Sequence, residues 1–206
     1  TVTTPAFADG PATVCITASG GTAAAAEQFT FEGTPVISAN GISPNQGPTT
    51  GGTPVTITGS NFPAGDPNVT VSFGGANATA VNVENSTTIL ANTPPSPLPG
   101  SGAGPVNVTV TDIGGTSSNN PPITFTYIIA PTVSGISPTS GPTQGGETVI
   151  IKGTNLCNAT NVMFGSASAA ITNITSDCTT ITVTEPPGTG TVPVVVMTPG
   201  GSARSP

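Results

Sequence analysis

The chain has 206 residues, of which only 5% are charged; nine carboxylates against two basic residues, Lys152 and Arg204, leave a net charge of −7. That balance excludes nucleic acid as a partner, because neutralising phosphates needs a basic footprint, and it disfavours an anionic membrane surface for the same reason. Histidine is absent, which removes the usual general base, the usual zinc ligand and any Ser-His-Asp or Cys-His arrangement.

In chain order, residues 10–23 read GPATVCITASGGTA and residues 29–31 read FTF. Between them, residues 22–29 (TAAAAEQF) form the one helix-prone run. Residues 41–52 then read GISPNQGPTTGG, and 94 positions later residues 135–146 read GISPTSGPTQGG, with nine of the twelve positions identical. The echo continues. TPVTITGSNF (53–62) answers to ETVIIKGTNL (147–156), VTVSFGGANAT (69–79) to TNVMFGSASAA (160–170), and TTILANTPP (87–95) to TTITVTEPP (179–187). GPVNVTVTDIGGTS (104–117) and FTY (125–127) close this repeat, and they match residues 10–23 and 29–31 near the start; Thr1–Pro5 matches the segment ending at Pro94.

The chain therefore divides into the back part of a repeat (1–33), a complete repeat (34–128) and a third (129–206) in which no FTY-like final strand is found. Without an initiating Met or a signal-peptide pattern, the sequence reads as a mature product or an excerpt. Its longest apolar run, residues 192–197, falls far below the roughly 18 residues of a membrane span, so no direct membrane insertion is expected in this segment.

Within the complete repeat the apolar period is two. Val55 and Ile57 share a face, as do Val69, Val71 and Phe73, then Val106, Val108 and Val110, then Ile123, Phe125 and Tyr127. About seven such strands in about 95 residues, separated by Gly, Pro, Asn and Ser, predict an all-β fold of tandem immunoglobulin-like β-sandwiches. The succession ISPxxGPTxGG, TxVTITGxNF, VxFGG, TTI and TPP, VNVTVT and FTY also resembles the IPT/TIG domain family across essentially the whole chain. Members of that family are immunoglobulin-like modules in plexin-type receptors, Rel-type transcription factors, some starch-acting enzymes and bacterial surface proteins. The resemblance implies the fold and leaves several roles open.

Gly47 and Gly52 have the spacing of a phosphate-binding loop, but Thr53 stands where the lysine belongs; a turn leading into the strand at Val55 fits better. The carboxylates Asp66, Glu84, Asp112, Glu147 and Asp177 are scattered, with no pairing for acid–base work and no calcium-loop spacing. No catalytic, cofactor or metal residue is assigned. Cys157 and Cys178 have no counterparts in the complete repeat, where Pro63 and Ser86 stand, and a disulfide between them is expected. Closing that loop is worth on the order of 3 kcal/mol and implies an oxidising compartment. Cys15, aligned with the outward Thr109, is either an unpaired thiol or an intermolecular partner.

Asn-x-Ser/Thr occurs at Asn68, Asn77, Asn85, Asn107, Asn158 and Asn173, six candidate N-glycosylation positions. The run containing Val192, Val194 and Val196 is a candidate strand-acceptor edge. The expectation is a non-catalytic, extracellular or cell-surface segment of a fibre, stalk or adhesin that meets other copies of itself or neighbouring Ig-like domains, with strand complementation between subunits as a candidate mode of assembly. The alternatives are a receptor ectodomain with a protein ligand and an accessory module of a secreted carbohydrate-active enzyme. The absence of Trp and the single Tyr weigh against sugar stacking.

Overall fold

The computed structural model describes Thr3, residues 8–119 and residues 121–206; the expected match of Thr1–Pro5 to the segment ending at Pro94 therefore lies, apart from Thr3, outside the described residues. Strands and turns account for all the regular structure described, as alternating Val, Ile and Thr between Gly and Pro require. The chain opens with a hairpin, β1 (Gly10–Ala18) and β2 (Gly21–Phe31), paired antiparallel with a register shift between Thr13 and Cys15. The helix-prone run is thus strand. Alanine's helical preference is a few tenths of a kcal/mol per residue, too little to outweigh the cross-strand pairing that β1 offers.

The middle sandwich has two sheets. One is ordered β3-β5-β9-β8, from β3 (Val36–Ser43), β5 (Pro54–Ser60), β8 (Thr79–Asn85) and β9 (Thr88–Asn92). The other is ordered β4-β12-β10-β6-β7, from β4 (Gln46–Pro48), β6 (Thr70–Phe73), β7 (Ala76–Asn77), β10 (Gly104–Asp112) and β12 (Thr124–Ile128), with β11 (Gly115–Thr116) paired to β10. Each strand buries alternate residues: Val55 and Ile57, Ile89 and Ala91, Val71 and Phe73, Val106, Val108 and Val110, Phe125 and Tyr127. Each fully buried side chain of this size contributes roughly 1.5–3 kcal/mol.

The C-terminal sandwich follows the same plan as one continuous sheet, ordered β13-β14-β17-β16-β15-β18-β19. Its strands are β13 (Thr132–Ser137), β14 (Thr148–Thr154), β15 (Asn161–Phe164), β16 (Ala167–Ile174), β17 (Thr180–Thr184), β18 (Val194–Thr198) and β19 (Gly201–Arg204). The sheet is continuous because β16 changes partner along its length: Ala167 to Ala169 pair with β15, and Ala170 to Ile174 pair with β17. In the middle sandwich the same passage is broken into β7 and β8, with Ala80 at φ 50° near the break. Val149, Ile151, Leu156, Val162, Ile181, Val183, Val194 and Val196 form the core.

The repeated Gly-rich phrase is the turn into each second strand. Gly51 N–H bonds the Pro48 carbonyl at 3.0 Å, and Gly145 N–H bonds Pro142 at 2.9 Å. Both glycines have positive φ, 74° and 70°, and each lies so close to the Pro-Pro backbone, at Pro94 and Pro186, that a side chain would collide with it. The phrase is structural punctuation.

Candidate functional site: the linker joint of each sandwich

The segment leading into each sandwich is held by the same residues. Pro35 and Pro131 are buried, and the proline ring fixes φ at each. Asn61 and Asn155, just after β5 and β14, both adopt the left-handed conformation, at φ 59° and 56°. Asparagine tolerates that region, and here it aims the side-chain amide back at the linker. Asn61 Nδ2 donates to the Thr34 carbonyl at 3.1 Å, and Asn155 Nδ2 donates to the Ala130 carbonyl at 3.2 Å.

A Gly-Gly hairpin turn braces the other side of the linker. The Gly33 carbonyl packs where a side chain on Gly114 would stand, and the Ile129 carbonyl does the same at Gly200. The turn itself is capped alike: Asp112 Oδ1 accepts from Gly114 N–H at 2.7 Å, and Thr198 Oγ1 accepts from Gly200 N–H at 3.1 Å. Thr34 Oγ1 adds a bond to the Gly114 carbonyl at 3.1 Å. Burial holds the Asp112 carboxyl above its usual range, the Gly114 and Gly115 amides pull it back, and nearby Asp66 pushes it up again. Its Oδ2 is buried without a hydrogen-bond partner.

Asn61 and Asn155 were not singled out in the sequence. The signal for them is G-[ST]-N at equivalent positions of both repeats, since Asn at the end of a strand-turn motif is the non-glycine residue best suited to positive φ.

The other expected sites lie elsewhere. Cys157 and Cys178 are joined, with S–S 2.06 Å and Cα–Cα 4.7 Å, tying the end of β14 to the turn before β17. Leu156 N–H reaches the Cys178 carbonyl at 3.0 Å there, as Phe62 N–H reaches Ser86 at 3.1 Å in the middle sandwich. The disulfide reinforces a contact that both repeats make. Cys15 is a free, exposed thiol on β1.

Asn68, Asn77, Asn85, Asn107, Asn158 and Asn173 are all exposed. Two have committed side chains: Asn68 donates to Asp66 at 2.9 Å, and Asn85 Oδ1 accepts from Thr87 N–H and Oγ1–H at 2.9 and 2.8 Å. Asp177, fully exposed, is held low by the Thr175 and Thr179 hydroxyls and the Thr179 amide. Among the described residues no group of three His, Cys, Asp or Glu converges, and no helix is long and apolar enough to cross a membrane.

One expectation is overturned. Val194 and Val196 do not form an open edge: β18 is paired with β15 on one side and with β19 on the other, and both side chains are buried. After Gly200 and Gly201 the chain doubles back and satisfies the hydrogen bonds that β18 would otherwise expose. Val192 lies outside the strand and is half exposed.

The model of the IPT/TIG domain matches residues 35–127 and 131–206. The chain belongs to the IPT/TIG family. Its sandwiches are tandem IPT/TIG domains, and the joint is built twice on that fold. Among solved structures, the plexin A4 extracellular region, domains 1 to 8, matches with a TM-score of 0.50 and 20% identity, over 87% of this chain and 19% of that one. The full plexin A4 extracellular region matches at 24% identity and a TM-score of 0.48, over 92% of this chain and 16% of that one. SGBP-B from a xyloglucan utilization locus of Bacteroides uniformis is 21% identical with a TM-score of 0.37, over 84% of this chain and 48% of that one. These likenesses are to the fold alone, and the chain spans less than half the length of each.

Proposed function

We propose that the chain is a non-catalytic structural segment of an extracellular fibre, stalk or adhesin. In this reading residues 1–33 are the back part of one IPT/TIG unit, 34–128 a complete unit and 129–206 a third. The observation that carries it is the linker joint, reproduced at both junctions by Asn61 and Asn155 and by Gly114 and Gly200. A linker anchored by backbone bonds loses the freedom of a flexible tether, which is what a load-bearing array requires. The disulfide and the charge-poor surface support an oxidising, extracellular setting, and the six exposed Asn-x-Ser/Thr positions support glycan attachment there. Neighbouring Ig-like domains and other copies of the chain are the partners.

Small-angle scattering of the wild type and of an Asn61→Ala, Asn155→Ala double variant tests the reading. A gain in flexibility in the variant relative to the wild type is expected. A wild type already as flexible as the variant overturns it.

A further inference from the structure

Four residues of β3 stand against one of β5. Ile37 pairs with Gly59 and Ile42 with Ile57, so Ser38, Ala39, Asn40 and Gly41 occupy an interval in which β5 offers Thr58 alone. The C-terminal sandwich has a shorter bulge at the same place, where Val133 pairs with Gly153 and Gly135 with Lys152.

The excursion in β3 is fixed at both ends. Asn119 Nδ2 donates to the Ile37 carbonyl. Gly41 is buried, and a β-carbon on it would stand 2.4 Å from the Thr58 carbonyl oxygen and 2.7 Å from that of Ser38, so only glycine fits. Between these anchors Ser38, Ala39 and Asn40 are exposed. Asn40 passes through the left-handed region at φ 58°, which asparagine tolerates because its short polar side chain can bond locally. Gly135, by contrast, has open space around it and follows Ser134.

Packing therefore sets an exposed asparagine directly before an obligatory glycine. Asparagine is among the thermally labile residues, and glycine leaves its own backbone nitrogen without a β-carbon to shield it. Of the asparagines in the chain, Asn40 alone is followed by glycine. Ring closure requires Asn40 to rotate out of the left-handed conformation. A segment with one ladder partner for four residues opens at lower cost than a fully paired strand.

We propose that Asn40–Gly41 is a site of spontaneous deamidation. The Gly41 amide nitrogen gives up its proton to solvent and attacks Asn40 Cγ. The new N–Cγ bond closes a succinimide while the Cγ–Nδ2 bond breaks and ammonia leaves. Water then opens the ring at either carbonyl, which gives aspartate or isoaspartate. Isoaspartate routes the main chain through the side-chain carbon and lengthens β3 by one methylene inside the excursion. Either product adds one negative charge to the net of −7.

Peptide mapping by mass spectrometry tests the proposal on the folded wild type, held at mildly alkaline pH and sampled over time. The peptide carrying Asn40 should gain one dalton, or three in heavy-oxygen water, several-fold sooner than any other asparagine-containing peptide. Isoaspartate should exceed aspartate, and the rate should rise with pH because the Gly41 amide must lose its proton. Circular dichroism over the same period should stay native. Asn40→Gly keeps the positive φ and removes the electrophilic carbon, so the early gain should vanish.

An Asn40 peptide that is unchanged after another has reacted overturns the proposal. So does a product containing aspartate alone, or a total mass gain as fast in Asn40→Gly as in the wild type. Reaction at Asn40 that begins only once urea has unfolded the chain overturns it as well.

Discussion

The Tyr127 hydroxyl donates to the Pro94 carbonyl at 2.7 Å, inside the middle sandwich, across 33 positions of sequence. This bond ties the last strand to Thr93-Pro94-Pro95, whose counterpart in the C-terminal repeat is Glu185-Pro186-Pro187. Tyr127 is nearly fully buried, and burial pushes its phenol from the ordinary 10.0 up to about 12.

Tyr127→Phe should therefore lower the stability of the middle sandwich by about 1–3 kcal/mol, because the Pro94 carbonyl is left buried without its donor. The pH dependence follows from the raised value. The protonated phenol is favoured in the folded state, so its contribution is complete below pH 10.0 and is lost as pH rises past about 12. Alkaline denaturation followed by circular dichroism should show a step in the wild type that the Phe variant lacks.

Replacing the asparagines of the joint separates conformation from hydrogen bonding. Asn61→Gly keeps the positive φ and loses only the bond to Thr34, a cost of about 1 kcal/mol. Asn61→Ala loses the same bond but, unlike Gly, keeps a β-carbon in the left-handed region without asparagine's local polar compensation, and should cost roughly 1 kcal/mol more than Asn61→Gly. The same order is expected for Asn155 and its bond to Ala130. Urea titrations of the four single variants give the comparison, and an Ala variant as stable as its Gly counterpart contradicts the assignment.

Reduction of Cys157–Cys178, or the double Ala variant, should destabilise the C-terminal sandwich by on the order of 3 kcal/mol and leave the middle one unchanged. The single tyrosine of the chain, Tyr127, lies in the middle sandwich. Its fluorescence should report an unaltered transition while calorimetry records the lowered one.

Asp112→Asn tests the buried carboxyl at the joint. A carboxyl raised in the folded state stabilises while protonated, below its ordinary value of 3.8, and that contribution is lost as pH rises through the folded value. The Asn variant keeps an oxygen for Gly114 N–H and carries no charge against Asp66. It should melt higher than the wild type at neutral pH, and the difference should shrink as the solution is acidified below 3.8.

Much of the fold was legible because β-strands announce themselves with a period of two. The rows at Val55, Val71 and Val106 are buried as that period requires, and the Gly-Pro phrase is the turn it reads as. Residues 22–29 were not legible, since local preference favours a helix and only the pairing of β2 with β1 makes them strand. The joint was partly legible: the repeated G-[ST]-N and Gly-Gly doublets mark where the backbone turns, without saying that both turns grip the linker.

By itself the sequence determined the family, its tandem repetition and the near-absence of basic groups and absence of imidazole, because these depend on residue type and spacing alone. Tertiary structure decided how the strands pair. The phrase GISPxxGPTxGG is nearly the same in both repeats, yet it includes strand β4 where β12 lies beside it and has no strand at residues 140–142. A strand's hydrogen bonds belong to two segments, and the second segment is not written in the first.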